Sequence, residues 1–113
     1  MKDFQIDFNH VRGTLPESIG NWSQIQYAFL DSNRLTGTLP ASIGEWANVQ
    51  IFTIEFNKLN GTIPESLGNW SHIQTAILNF NNFSGTVPTS LCAAPALTLL
   101  AVDMFKVVCT CCA

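Results

Sequence analysis

The feature that most constrains this chain is an unbroken 24-residue internal repeat. Gly-Thr-Leu-Pro at 13–16 and 37–40 is followed by Gly-Thr-Ile-Pro at 61–64 and Gly-Thr-Val-Pro at 85–88. A fixed period of this length is typical of units that cannot bury an apolar face alone and therefore stack on their neighbours. The sequence predicts one solenoid domain spanning 1–113, with coils at 1–24, 25–48, 49–72 and 73–96 and a partial coil at 97–113.

Other residue types recur in the same phase. They are the asparagines Asn9, Asn33, Asn57 and Asn81, the serines Ser18, Ser42, Ser66 and Ser90, the glycines Gly20, Gly44 and Gly68 with Cys92 in the fourth slot, and the tryptophans Trp22, Trp46 and Trp70. A buried asparagine must satisfy its amide, so its column predicts hydrogen bonds between the loops of successive coils. The tryptophans occupy an in-phase apolar slot, which favours packing in the core on the convex side over sugar binding.

Within a coil, the apolar positions predict the local structure. In coil 2, Ala28 and Leu30 alternate with outward-facing residues, which is the period-two pattern of a strand. Residues 38–39 predict a second short strand. Pro40 begins a helical turn that Gly44 is expected to end, and the little chain that remains favours a 3-10 helix over a long α-helix.

In outline the repeat reads Leu-x-x-Leu-x-Leu-x-x-Asn-x-Leu-x-Gly-x-Ile-Pro, which resembles the leucine-rich repeat family. The 24-residue subtype is similar to that of plant receptor-like proteins, polygalacturonase inhibitors and kinetoplastid surface antigens. The resemblance implies an α/β solenoid, a right-handed superhelix with a parallel concave β-sheet and short 3-10 or irregular convex segments. The chain departs from the family pattern at Phe105 in the asparagine slot and at Cys109 in the glycine slot.

The first coil begins in register at Met1, so we expect it to lack the family's usual cysteine-bearing N-terminal cap. Met1 occupies the slot that Ile25, Val49 and Ile73 occupy in later coils. An uncapped solenoid end exposes apolar interior and an unpaired strand edge. We therefore expect either a fragment of a longer array or a homo-oligomer formed through the ends of the solenoid.

Three columns of outward-facing residues follow the strands of the predicted concave sheet. The acidic column is Asp7, Asp31, Glu55, Asn79 and Asp103, the apolar column is Phe8, Ser32, Phe56, Phe80 and Met104, and the basic column is His10, Arg34, Lys58, Asn82 and Lys106. Exposed charges of this kind can simply form a solvated ladder that sets register and solubility. A cluster of exposed aromatic residues is more typical of a contact surface.

The family resemblance implies that the concave face binds a protein or peptide. The expected ligand-binding residues are Tyr27, Phe29, Asp31, Arg34, Ile51, Thr53, Glu55, Phe56, Lys58, Ile77, Asn79, Phe80, Asp103 and Met104. The alternative is a structural spacer, a segment of a larger surface protein with no ligand of its own.

All four cysteines, Cys92, Cys109, Cys111 and Cys112, lie in the C-terminal quarter of the chain. Adjacent cysteines fit tetrahedral thiolate geometry poorly, so disulfides are favoured over a zinc site and no metal is expected. Stacked coils bring Cys92 near the other three, which favours a bond to Cys109 or Cys111. Free thiols remain the alternative.

Four Asn-x-Ser/Thr sequons begin at Asn21, Asn60, Asn69 and Asn82, and they make these residues candidate glycosylation sites. So many sequons in 113 residues indicate passage through the secretory route and an extracellular or cell-surface location. The repeat itself is rich in Asn, Ser and Thr, so composition alone can also produce them.

Composition and motifs disfavour several function classes. The net charge is −3 with only five Lys or Arg residues, which argues against nucleic-acid binding. No apolar run approaches the roughly 20 residues of a membrane span. The sequence contains no Gly-x-Ser-x-Gly, phosphate-loop or His-Glu-x-x-His motif. We therefore expect no enzyme activity and no cofactor.

Overall fold

Every coil contributes one strand to a single five-stranded parallel sheet. This computed structural model describes residues 2–6 and 9–112. Its strands are β1 (Asp3–Gln5), β2 (Arg12–Thr14), β3 (Tyr27–Phe29), β4 (Arg34–Thr36), β5 (Ile51–Thr53), β6 (Asn60–Thr62), β7 (Thr75–Ile77), β8 (Asn82–Thr86), β9 (Leu99–Ala101) and β10 (Val107–Val108). The main sheet has the order β1-β3-β5-β7-β9, and β2-β4 and β10-β8-β6 form smaller parallel sheets. The predicted leucine-rich-repeat solenoid is confirmed.

The two kinds of sheet differ in register. In the main sheet Tyr27 pairs with Ile51, the residue at the same position of the next coil. In the smaller sheets the register is shifted, because Asn60 pairs with Asn82 and not with Ser84, its equivalent in the next coil.

The second strand of coil 2 is β4, at Arg34–Thr36, and not residues 38–39 as expected. Gly37, with φ of +80°, ends the strand, and Thr38 makes only an isolated bridge. The prediction of a second short strand is therefore confirmed, but its position is wrong.

Short helices cross the convex side, as the sequence predicts. The 3-10 helices are Glu17–Asn21, Ala41–Glu45 and Glu65–Asn69, each preceded by a proline, and the fourth turn is a short α-helix, α1 (Thr89–Cys92). Gly44 does not end its helix, which continues to Glu45. The glycine is needed for close approach instead, because a Cβ at Gly44 would lie 2.5 Å from Ser66 Cβ in the next coil.

The inward strand positions form the centre of the core. Ala28, Leu30, Phe52, Ile54, Ala76 and Leu78 are all 0% exposed. Burial on this scale stabilises each large side chain by about 1.5–3 kcal/mol. The sequence prediction of an alternating strand with one buried face is confirmed.

Two of the three tryptophans close the convex side of the core. Trp46 and Trp70 are 0% exposed, and their Nε1–H groups donate to the carbonyl oxygens of Ile19 and Ile43 in the preceding coil, at 2.8 and 2.9 Å. Trp22 differs from the prediction, since it is 38% exposed. It lies in the first coil, where it makes an edge-to-face contact with Phe4 at a centroid distance of 4.9 Å.

Candidate binding surface

A row of exposed apolar side chains runs along the solenoid where each strand of the main sheet ends. We call Phe56, Phe80 and Met104 the aromatic ridge; they are 54%, 55% and 59% exposed. The rings of Phe56 and Phe80 stack with centroids 4.4 Å apart and planes 6° apart. Exposed large apolar groups in contact with one another are typical of a protein contact surface.

The backbone holds the ridge in an unusual conformation. Phe56 and Phe80 have φ of 60° and 59°, in the left-handed region that bulky residues rarely adopt. Such a residue costs of order 1 kcal/mol or more and persists where its surroundings impose it. Here the asparagine that follows each phenylalanine imposes it, because its amide is held within the loop. The backbone that carries these two phenylalanines is therefore positioned by the loop beneath them.

The Asn57 side chain shows how the loop is held. Its Nδ2 donates to the carbonyl oxygens of Leu30 and Ile54 at 2.9 and 3.0 Å, and its Oδ1 accepts the N–H of Leu35 at 3.0 Å. Asn81 repeats the pattern one coil later. The predicted asparagine ladder between coils is confirmed, and it positions the residue just before each asparagine on the outside.

The sheet face beside the ridge is only partly accessible. Tyr27, Phe29, Ile51 and Ile77 are half-buried. Thr53, expected to contact a ligand, is 9% exposed, and its Oγ1 donates to Asp31 Oδ1 at 3.0 Å. Thr53 therefore offers a ligand little accessible surface, and its hydroxyl is bonded to Asp31.

The acidic column is half-buried, which alters the chemistry of Glu55. Burial raises the pKa of Glu55 above its ordinary value of 4.5, its backbone hydrogen bond opposes this, and the nearby Asp31 charge raises the pKa further. Among the described residues, Glu55 Oε1 and Asn79 Oδ1 are buried oxygens without a hydrogen-bond partner. An unpaired buried oxygen is costly, so these two atoms mark a strained point in the half-buried acidic column.

Asp103 serves the fold as well as the acidic column. Its carboxylate oxygens accept the N–H groups of Phe80 at 2.8 Å and Asn81 at 3.1 Å. This substitutes for part of the asparagine ladder in the coil where Phe105 occupies the asparagine slot. Sequence reasoning missed this role, although an acid two residues before a vacant asparagine position was the available signal.

The basic column lies on the other side of the ridge along the chain. Arg34 and Lys58 are exposed, and Lys106 Nζ donates to Asn82 Oδ1 at 2.8 Å. Within each coil, the acidic column, the apolar column that contains the aromatic ridge, and the basic column thus follow one another in chain order. The structure shows no enclosed pocket within residues 2–6 and 9–112, so the surface suits a partner that lies across it. The expected column members Asp7 and Phe8 lie outside the described residues.

The four candidate glycosylation sites are accessible. Asn21, Asn60, Asn69 and Asn82 are all exposed. Asn60 and Asn82 are direct partners in the β6–β8 pair, so a glycan on either would stand beside the other. Their use stays a prediction.

The cysteines form two disulfides, as the sequence favours. Cys92 bonds to Cys111, one of the two pairings expected, and Cys109 bonds to Cys112. No described helix is long and apolar enough to cross a membrane.

Comparison with known proteins places this geometry in a family. A model described as Leucine Rich Repeat matches residues 48–70. A search of curated protein sequences gives no match. Among solved structures, the ectodomain of the receptor kinase GASSHO1/SCHENGEN3 from Arabidopsis thaliana, in complex with CASPARIAN STRIP INTEGRITY FACTOR 2, is 32% identical with a TM-score of 0.83; the match covers 90% of this chain and 12% of that one.

Two further structures are similar. The plant peptide hormone receptor RGFR1 in complex with RGF2 is 31% identical with a TM-score of 0.87, over 90% of this chain and 16% of that one. The BIR3–SERK2 complex from Arabidopsis thaliana is 28% identical with a TM-score of 0.79, over 87% of this chain and 53% of that one. The chain thus spans only 12% of GASSHO1/SCHENGEN3 and 16% of RGFR1 in these structures.

The 24-residue repeat, the parallel stacked coils and these matches identify the chain as a leucine-rich-repeat protein. Its repeat is consistent with the subtype found in the plant receptor ectodomains.

Proposed function

We propose that this segment is a non-catalytic recognition module that binds a protein or peptide across its concave sheet and the aromatic ridge. The observation that carries the proposal is the stacked, exposed pair of Phe56 and Phe80. Large aromatic groups held rigidly at a surface lose little entropy when a partner covers them. The relatives whose structures were solved with peptide ligands support the same role.

Each part of the surface has a distinct role in this proposal. Phe56, Phe80 and Met104 supply apolar contact, while Arg34 and Lys58 attract acidic groups of the partner. Asp31, Glu55, Asn79 and Asp103 bind donor groups, and Tyr27, Phe29, Ile51 and Ile77 complete the sheet face. Thr53 orients Asp31 from beneath.

We further propose that residues 1–113 form one domain and that it works outside the cell or at its surface. The two disulfides support an oxidising compartment. The receptor ectodomains to which the chain is similar support the same location. The accessible sequons are compatible with it.

Photocrosslinking tests where a partner binds. Peptides are first selected from a random phage-displayed library against the purified protein. Variants then carry p-benzoylphenylalanine in place of Phe80 on the ridge or Glu65 on the convex 3-10 helix, both exposed. We expect selected peptides to crosslink at position 80 and not at position 65. Crosslinking at position 65 alone contradicts concave-face binding.

A structural spacer is the second candidate function. It is favoured by the small share of the receptors' length that this chain spans. In that case the segment holds neighbouring parts of a longer solenoid in position, and peptide selection against it yields no binder that crosslinks at either position.

A further inference from the structure

The four cysteines form one cluster next to α1 and β10. Cys92, the last residue of α1, bonds to Cys111 at a sequence separation of 19, so this disulfide fastens the tail to another coil. Cys109 bonds to Cys112 at a separation of 3, within a single turn of the tail. The second disulfide closes so short a loop that it fastens no additional element to the solenoid, and its presence calls for another explanation.

The two disulfides lie within reach of each other. The sulfurs of Cys92, Cys109 and Cys111 all lie within 4.8 Å of one another. Thiol–disulfide exchange proceeds by attack of a thiolate on a disulfide sulfur, through a mixed disulfide. Cys111 is exposed, whereas the other three cysteines are half-buried and pack against the core. An external thiolate therefore meets the cluster first at Cys111.

We propose that this cluster is a thiol-exchange site that accepts a low-molecular-mass thiol at Cys111. The external thiolate attacks Cys111 Sγ, the Cys92–Cys111 bond breaks, and Cys92 leaves as a thiolate. The Cys92 thiolate then attacks Cys109 Sγ, the Cys109–Cys112 bond breaks, and Cys112 leaves as a thiolate that takes up a proton.

The exchange balances without an oxidant or a reductant. One external thiol is consumed, and two disulfides are present before and after: a mixed disulfide on Cys111 and a new bond between Cys92 and Cys109. One thiol appears, on Cys112. In the product, Cys92 of α1 is bonded to Cys109 instead of Cys111. The tail therefore stays covalently attached to α1. The Cys109–Cys112 disulfide thus preserves the attachment of the last coil while the site is occupied.

Reduced glutathione is the probe for the test. The oxidised protein is incubated with it at mildly alkaline pH, where thiols are partly ionised, then alkylated and digested with trypsin without reduction. No Lys or Arg lies between Lys58 and Lys106, so trypsin places Cys92 in peptide 59–106 and the other three cysteines in peptide 107–113. Mass spectrometry then reports whether the two peptides stay joined.

The expected product is the two peptides still linked, with glutathione on Cys111 and the alkyl group on Cys112, as fragmentation of the linked peptides locates them. Glutathione on Cys109 or Cys112 with the Cys92–Cys111 bond intact overturns the proposal. Release of peptide 59–106 with Cys92 alkylated overturns the proposal, and so does the absence of glutathione uptake. The double variant Cys109→Ser/Cys112→Ser is the matched control, because it keeps the Cys92–Cys111 bond and lacks the second disulfide. In that variant we expect glutathione uptake to release peptide 59–106. The wild-type result decides the proposal even where the variant folds poorly.

Discussion

Phe56 and Phe80 stack almost parallel, with 4.4 Å between ring centroids, although they lie one full repeat apart in the sequence and both are more than half exposed. The distance is close to the roughly 4.8 Å spacing of paired strands. The stack thus follows directly from the coil repeat, and it gives the proposed binding surface an exposed apolar centre.

The stack should contribute only modestly to stability. We expect a double-mutant cycle of Phe56→Ser and Phe80→Ser to give a coupling free energy of about 0.5–1.5 kcal/mol, the range measured for aromatic pairs. Serine is a suited replacement because Ser32 occupies the same slot, with φ of 60°, in coil 2. Urea unfolding monitored by tryptophan fluorescence measures the cycle. A coupling near zero contradicts a stack that persists in solution.

The asparagine ladder should contribute far more. Asn57→Ala removes bonds to Leu30, Ile54 and Leu35 and deprives the buried Leu35 N–H of its side-chain acceptor. The Leu30 and Ile54 carbonyl oxygens keep one donor each, from the neighbouring asparagines of the ladder. We expect the free energy of unfolding to fall by at least about 3 kcal/mol. The control is Asn60→Ala, at an exposed asparagine in β6, which should change stability by less than about 0.5 kcal/mol. Equal losses in the two variants contradict the ladder.

Gly44 and Gly68 each lie against a serine of the next coil. Whether replacing that serine restores the stability lost in a Gly→Ala variant should depend on which serine atoms lie closest to the added Cβ. A Cβ at Gly68 would lie 2.5 Å from Ser90 Cβ, so Gly68→Ala should destabilise by about 1–3 kcal/mol. Adding Ser90→Gly should recover most of the loss, because the nearest remaining atom is then 3.5 Å away.

Gly44→Ala is the matched comparison. There the backbone oxygen of Ser66 lies 2.6 Å from the added Cβ. Ser66→Gly leaves that oxygen in place and should not restore stability. Thermal unfolding of the four variants checks both statements, and rescue at both sites contradicts the stated contacts.

Burial of Glu55 predicts a pH dependence. Its folded-state pKa is raised, chiefly by burial, so the folded protein binds a proton more readily than the unfolded chain. This contribution to stability is present at acidic pH and is lost as pH rises from 4.5 through the folded-state pKa. We therefore expect Glu55→Gln to raise Tm relative to wild type at pH 7 and to raise it less at pH 4.

The exposed Glu45 offers the control for this comparison. Glu45→Gln should give the same small Tm difference at both pH values. A Glu55→Gln effect that is independent of pH contradicts the role assigned to burial.

Much of the fold could be predicted because it follows from the repeat. The constant period and the alternation around Ala28 and Leu30 were enough to predict stacked strands, the asparagine ladder and the 3-10 helices. The parallel concave sheet was implied by the family resemblance. Positions that need one residue type for one physical reason, such as an asparagine with a buried amide or a glycine in close contact, recur from coil to coil. They can therefore be recognised from the sequence.

Features that depend on departures from the repeat could not be predicted in this way. Trp22 has the same slot as Trp46, yet it is 38% exposed. Thr53 alternates like Phe29, but it is only 9% exposed. Asp103 takes over part of the role of an asparagine through hydrogen bonds to the preceding coil, and its only sequence signal is its place two residues before the vacant asparagine slot.

The most direct test of concave-face recognition is a binding titration of one library-selected peptide against three proteins. They are the wild type, the double variant Phe56→Ser/Phe80→Ser, and a convex control with the exposed Glu65→Ala. Loss of the central apolar contacts should weaken binding by at least about tenfold, or about 1.4 kcal/mol, in the double variant. The convex control should bind as the wild type does. An unchanged Kd in the double variant, with circular dichroism showing it folded, contradicts the account.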